Sequence, residues 1–203
     1  LGAAYVVAVE EGETLDAFPG ANIGNEFSEN QISNEIKNIG VPYKAVNNPA
    51  EVAAESVANG KIVGWYQGRH EYGPRALGSR SILADPSQDN MKDLINIRVK
   101  FREEFRPFAP SILEEYTNEY FDSNGHLFPY MAVTNNVRID KKNDIQAVVH
   151  EDNTSRIQTV SKSALPLYHD LIDYFYKLTD IPVVLNTSFN VKGQPIVNTP
   201  TQA

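Results

Sequence analysis

The chain has 203 residues, 41% hydrophobic and 22% charged, enough for one sizeable core and too balanced for global disorder. No apolar run approaches the ~18 residues that a membrane-crossing helix needs, and no signal-peptide pattern opens the chain. The absence of cysteine excludes disulfides and thiolate metal sites and fits a cytoplasmic location.

The net charge of -8 argues against a general nucleic-acid binder. Its distribution is uneven. Residues 61–110 hold nine Lys/Arg against six acids, a net +3, so the rest of the chain carries -11. Half the positive charge in a quarter of the sequence suits a focused anion site better than a track for a phosphate backbone. The first residue is Leu1 rather than Met, and the chain is expected to be a fragment of a longer polypeptide.

In chain order, residues 1–27 read as a connecting arm with a short strand at Tyr5–Val9. Ser28 and Gln31 have capping-box spacing, and Ile32, Ile36 and Ile39 form an apolar stripe that stops at Gly40, so a helix is predicted there. Asn48-Pro49 starts a second helix, running from Ala50 to Asn59. Lys61–Gln67 reads as a buried strand, Gly68–Arg80 as a glycine-punctuated loop and Ser81–Ala84 as another strand. After a turn at Asp85-Pro86-Ser87, a helix is predicted over Gln88–Val99. Pro107 and Pro110 exclude regular helix over 105–110. A short helix follows at Glu114–Phe121. Strands are predicted at Met131–Val137, Ala147–His150 and Arg156–Val160, an amphipathic helix at Leu165–Leu178, a strand at Pro182–Leu185 and a helix start at Thr199-Pro200. Alternating helices and strands imply an α/β fold. Strands spaced closely over 131–160 imply antiparallel pairing, hence a mixed sheet.

Four segments bear chemistry. In Gly68–Ser81, Arg69, Arg75 and Arg80 are interspersed with Gly73 and Gly78, beside Glu71. Glycine lets backbone N–H groups approach a ligand, and arginine offers a planar fork matched to phosphate or carboxylate oxygens. A surface loop of solvated arginines explains the cluster less well. In Arg98–Pro110, Arg98 and Lys100 suit a helix C-terminus, which leaves Arg106, between two phenylalanines and beside Pro107, unexplained. Asn186–Asn190 follows a strand and could donate to a phosphate or simply turn the chain. Arg156 could join an anion site or pair with an acid across strands. Neither a P-loop nor a nucleophile elbow is present, and His70, His126, His150 and His169 lack ligand spacing, so no protein metal site is expected. Fixed cations without a nucleophile or base suggest phosphoryl or acyl-phosphate chemistry. In such chemistry, positioning and charge stabilisation supply most of the catalysis. Glu71 fits an ion-pair orienting role.

In order, the segments Glu71-Tyr-Gly-Pro-Arg75-Ala-Leu-Gly-Ser-Arg80-Ser-Ile-Leu-Ala-Asp85-Pro, Phe105-Arg-Pro-Phe-Ala-Pro110, Arg156-Ile-Gln-Thr-Val160 and Leu185-Asn-Thr-Ser-Phe-Asn190 resemble the C-terminal domain of the NodU/CmcH-type O-carbamoyltransferases. The resemblance covers residues 28–203. It implies a YrdC-like fold, a twisted mixed α/β sheet flanked by helices with a basic cavity, and an N-terminal actin-like (ASKHA) domain elsewhere in the polypeptide. It implies that carbamoyl phosphate and ATP, the latter carrying its own Mg2+, give carbamoyl-adenylate here, and that the carbamoyl group then passes to an acceptor hydroxyl in the other domain. No nucleic-acid or membrane partner follows from it.

By the same resemblance, Lys100-Phe-Arg102 and Ser188-Phe-Asn190 match a Lys-x-Arg and Ser-x-Asn set on the nucleotide. Arg75, Arg106, Arg156 and Asn186 would hold carbamoyl phosphate, and catalytic roles fall to Arg75, Arg106 and Lys100. Arg69, Glu71 and Arg80 lie at the margin of this assignment. Two other readings stay open: a threonylcarbamoyl-adenylate synthase of tRNA modification, which would use bicarbonate and threonine, and a nucleotide- or RNA-binding module.

Overall fold

The structure is a computed structural model that describes every residue except Leu1, Ala17 and Pro19. The described part of the N-terminal segment is helical where a strand is expected: α1 covers Gly2–Glu10, with no buried residue. A lone strand would leave its backbone donors and acceptors without a partner, whereas a helix pairs its own. Residues beyond it are tied down. Tyr72 donates to Ala21 O at 2.7 Å, Gly24 to His70 O and His70 to Asn25 O, so residues 21–25 lie along the loop that follows the first strand.

Local signals account for α2 (Glu29–Ile39) and α3 (Pro49–Ala58). Ser28 and Gln31 form the expected capping box, and Gly40 ends α2 in the left-handed region. The Asn48 side chain caps α3 by accepting from Glu51 N. Strands β1 (Val63–Tyr66) and β2 (Arg80–Ala84) form an antiparallel pair. β1 is an edge strand with only Trp65 buried, so the expectation of a buried strand holds better for β2, where all residues are buried.

The predicted helix over Gln88–Val99 divides. α4 covers Met91–Ile95, and the chain then widens into a π-helical turn, Asn96–Lys100, which ends on Phe101 at φ 48°. π turns cluster at functional sites. This one buries the side chains of Asn96 and Lys100. Next come β3 (Ala109–Leu113), a 3-10 turn at Glu114–Tyr116 and α5 (Thr117–Tyr120).

Of the strand expected at Met131–Val137, only β4 (Asn135–Asn136) forms, because Met131 sits at φ 52°, outside extended geometry. β4 pairs antiparallel with β5 (Thr154–Ser155) in a separate small sheet. The strand expected at Ala147–His150 is replaced by 3-10 turns over Lys142–Val148, kinked at Ile145. A short apolar run cannot be told from a buried helical turn by periodicity, and here Ile145, Ala147 and Val148 enter the core with no strand beside them to pair with. β6 (Gln158–Val160), α6 (Pro166–Thr179), β7 (Val183–Ser188) and a last 3-10 turn at Pro200–Gln202 complete the chain.

The main sheet has the order β1-β2-β7-β3-β6, antiparallel throughout except for the parallel β3–β6 pair. It is therefore a mixed α/β sheet. Strand alternation builds two cores. Ile112, Val183 and Leu185 face Met91, Ile95, Phe121 and Ile145, whereas Leu113 and Val184 face α3 and α6 through Ala54, Val57, Leu171 and Phe175. At the end of the sheet where Asn186 of β7 pairs with Ala109 of β3, the second face turns polar. The loop from β1 to β2 closes over that end.

Candidate anion site

Glu71 shapes the closing loop. Its side chain is 3% exposed, and Oε1 accepts from the backbone N–H groups of Leu77, Ser79 and Arg80 at 2.8, 2.6 and 3.2 Å. Arg80 is fully buried. Its guanidinium donates to Gln67 O, Ser79 O and Gly68 O, and it stacks 3.6 Å over the Tyr66 ring. Both residues are committed to the loop itself. Arg69 is exposed, 3.5 Å from Glu26, in a separate groove along residues 23–31. None of these three side chains is brought to the cavity described next.

That cavity encloses about 90 Å³ against the ~15 Å³ that one water needs. Arg75, Arg102, Arg156, Asn186, Thr187 and Ser188 line it, with Pro74, Ala76, Phe108 and Met131 among the apolar walls. Residues from 74 to 188 thus meet at the C-terminal end of β7. Arg75, Arg102 and Arg156 belong to no ion pair among the described residues. Burial, and then the nearby charge of Arg75, lower the pKa of Arg156. Burial, and then Arg106, lower that of Arg102. The Nε of Arg156 is buried with no hydrogen-bond partner. Cations that face one another rather than carboxylates, one with an unused donor, are arranged for an anion.

Arg102 is fixed from behind: its Nε donates to Asn96 Oδ1 at 2.7 Å, and its guanidinium lies 4.8 Å over Phe108. Asn96 donates in turn to Glu104 O and Arg106 O, which secures the loop after the π turn. The sequence segment around Arg102 gave no hint of Asn96, because its role depends on the π turn burying it. Arg106 does not line the cavity. It is exposed, 3.9 Å from Glu103, and touches the site only through its field on Arg102.

Lys100 meets both Ser188 and Asn190, so the Lys-x-Arg and Ser-x-Asn segments do come together. Its Nζ donates to Ser188 O, to Asn190 O at 3.0 Å and to Asn190 Oδ1 at 2.9 Å, and lies 3.3 Å from Ser188 Oγ. Ser188 Oγ also donates to Asn190 Oδ1 at 2.6 Å. The lysine is 5% exposed and anchors the 188–190 turn from beneath.

Burial, and then Arg102, lower the pKa of Lys100 from 10.5 to about 8. The folded value lies below the unfolded one, so the unfolded chain holds the extra proton between them. Lys100 therefore costs the ligand-free fold stability at neutral pH, and the cost fades as pH rises above about 8. For a bound anion the sign reverses, because the charge that leaves is attractive. Affinity for sulfate, which does not titrate in this range, is expected to fall as pH rises through about 8. Calorimetry at roughly pH 7 and pH 9 checks this, and the uncharged Lys100→Met should flatten the profile.

Under the cavity lies a buried amide network that motif reading missed. Asn186 Nδ2 lies 3.0, 3.0 and 3.1 Å from Ala76 O, Ser111 Oγ and Gln158 Oε1, and its two N–H groups are shared among these three acceptors. Ser111 Oγ donates to Gln158 Oε1, and Gln158 Nε2 to Leu77 O. Gln158 lies two residues beyond Arg156, and that spacing was the signal available in the sequence. Among the described residues no group of three or more His, Cys, Asp or Glu is assembled, and no helix is long and apolar enough to cross a membrane.

Fold and site together define an α/β domain with a small cavity lined by three arginines. The family described as "Carbamoyltransferase C-terminus" matches residues 54–203. The chain is 42% identical over its full length to nodulation protein NolO of Bradyrhizobium diazoefficiens, covering 38% of that protein. It is also 42% identical over its full length to nodulation protein NolNO of Sinorhizobium fredii, covering 31%. Over 70% of the chain it is 45% identical to nodulation protein U of Rhizobium tropici, covering 24% of it. This chain belongs to the carbamoyltransferase C-terminal family. It spans between 24% and 38% of the length of these relatives.

Proposed function

We propose that this domain binds carbamoyl phosphate and ATP and forms carbamoyl-adenylate, whose carbamoyl group passes, with loss of AMP, to an acceptor hydroxyl held by an N-terminal ASKHA-type domain of the same polypeptide. The supporting observation is the set of cations without carboxylate partners around a cavity of small-anion size. In this reading the phosphate of carbamoyl phosphate lies against Arg75 and Arg156. The nucleotide phosphates, with their own Mg2+, run past Arg102 and Ser188 toward open solvent, since a cavity of about 90 Å³ is too small for a whole nucleotide. A YrdC-like ancestry of the sheet and a cytoplasmic setting belong to the same reading.

The atoms balance in two steps. Water releases phosphate from carbamoyl phosphate and leaves carbamate. A carbamate oxygen then attacks the α-phosphorus of ATP, and pyrophosphate leaves with the electron pair of the broken P–O bond. No carboxylate, cysteine or histidine lines the cavity among the described residues. The arginines therefore contribute by orienting the reactants and neutralising charge that builds on phosphate oxygens.

The test is exchange of labelled pyrophosphate into ATP. The chain is expected to support exchange that depends on carbamoyl phosphate and to bind carbamoyl phosphate in calorimetry. Failure of both measurements would sink the reading.

A further inference from the structure

The charged part of the cavity wall, Arg75, Arg102 and Arg156, is all donor, and Thr187 and Ser188 add hydroxyls that can donate or accept. Asn186 adds a pure acceptor: it is 1% exposed, and its Oδ1 has no hydrogen-bond partner among the described residues. Two backbone carbonyls settle which end of this amide is the oxygen. Ala76 O can only accept, so the atom 3.0 Å from it must be Nδ2. Leu77 O can only accept as well, so the Gln158 atom 2.8 Å from it is Nε2, and Gln158 Oε1 then faces Asn186 Nδ2. The network thus holds Asn186 with its N–H groups used and its oxygen free. Across the same cavity the unpartnered atom is a donor, Arg156 Nε.

The fully ionised phosphoryl group of an acyl phosphate brings only acceptors and leaves Asn186 Oδ1 unpaired. A carbamoyl group brings one of each: its carbonyl oxygen accepts and its amino group donates, both from one trigonal carbon. We propose that Asn186 Oδ1 accepts a hydrogen bond from the ligand's amino group and thereby selects a carbamoyl group over an acetyl group of nearly the same shape. This rests on the reading of the cavity as a carbamoyl phosphate site. Gln158 and Ser111 are positioning residues: they engage the amide nitrogen and so leave the oxygen free for the ligand. The same contact serves carbamate, which keeps the amino group after phosphate has left.

Selection follows from the cost of burying an acceptor against a methyl group. A site built to pair a donor rejects the analogue that lacks it, whereas an apolar pocket hardly distinguishes the two. The test is calorimetric titration of the full chain with carbamoyl phosphate, acetyl phosphate and inorganic phosphate. The expected result is a preference of about tenfold or more for carbamoyl over acetyl phosphate. In Asn186→Leu, which keeps the bulk and removes the acceptor, the ratio should fall to near one. A merely structural role would lower both affinities together and leave the ratio unchanged.

Equal affinity of the unsubstituted chain for the two acyl phosphates overturns the inference and leaves the anion site standing, and this comparison needs no variant. A preference that persists in Asn186→Leu removes the assignment to Asn186. Binding of none of the three ligands overturns the function reading beneath it.

Discussion

Replacing Arg156 with alanine is expected to weaken carbamoyl phosphate binding by about 2–4 kcal/mol, whereas Arg106→Ala should cost less than about 1 kcal/mol. Both arginines stand in basic segments of the sequence, but their surroundings differ. Arg156 lines the cavity with a buried, unpartnered Nε and no carboxylate beside it. An anion placed there gains a charge-assisted hydrogen bond in a partly desolvated setting. Arg106 is exposed and already faces Glu103 at 3.9 Å, so solvent and its own partner screen it from the ligand. Isothermal titration of the two variants at one salt concentration checks the ranking, and an equal loss in both would place the anion outside the cavity. The ligand-free Arg156→Ala chain should be no less stable than the parent, because the substitution removes a partly buried charge that the like charge of Arg75 disfavours. Thermal unfolding without ligand reads this directly.

Gly78→Ala is expected to destabilise the fold by about 3–5 kcal/mol, read as a drop in the urea midpoint. Gly78 has φ +107°, and a Cβ built there lies 2.2 Å from Tyr168 Cδ1 and 2.6 Å from Cε1. Tyr168 is fully buried in the core against α3 and the sheet, so its ring cannot swing away. The comparison is Gly73→Ala in the same loop. Its φ of +104° is similar, but no atom of the described residues lies within 4 Å of the added carbon, so only backbone strain of about 1–2 kcal/mol remains. A loss at Gly78 no larger than at Gly73 would show that the ring adjusts freely. The position also matters for the site: Gly78 O accepts from Trp65 Nε1 and Gln67 Nε2, which holds the loop that carries Arg75.

The parts legible in the sequence share one property: their hydrogen bonds close within a few residues. The Ser28–Gln31 capping box, the Asn48 cap and the apolar stripe of α6 are all satisfied locally, and their positions followed from residue type and spacing. The expected strand at Tyr5–Val9 failed for the converse reason, since a strand exists only where another strand accepts it and, among the described residues, none lies beside this segment. The apolar run at Ala147–Val148 needed the same information. Its β-like composition meets a core pocket against α4 instead of a neighbouring strand.

For the candidate site, the sequence by itself determined that cations cluster in a few segments of an acidic chain, the pattern expected of an anion site. It also determined the family, through segments whose order and residue types are specific. Only the tertiary structure decided which cations are free. Arg75 and Arg80 stand five residues apart in one loop, yet Arg80 spends its guanidinium on the loop's own carbonyls while Arg75 faces the cavity. Lys100 is drawn beneath the 188–190 turn, and Asn186 is locked by partners from β3 and β6 with its oxygen left over. Whether a charged or polar group serves the fold or a ligand depends on which partners surround it in space. The hydrogen-bond partners of Lys100 and Asn186 all lie more than 20 positions away in the chain.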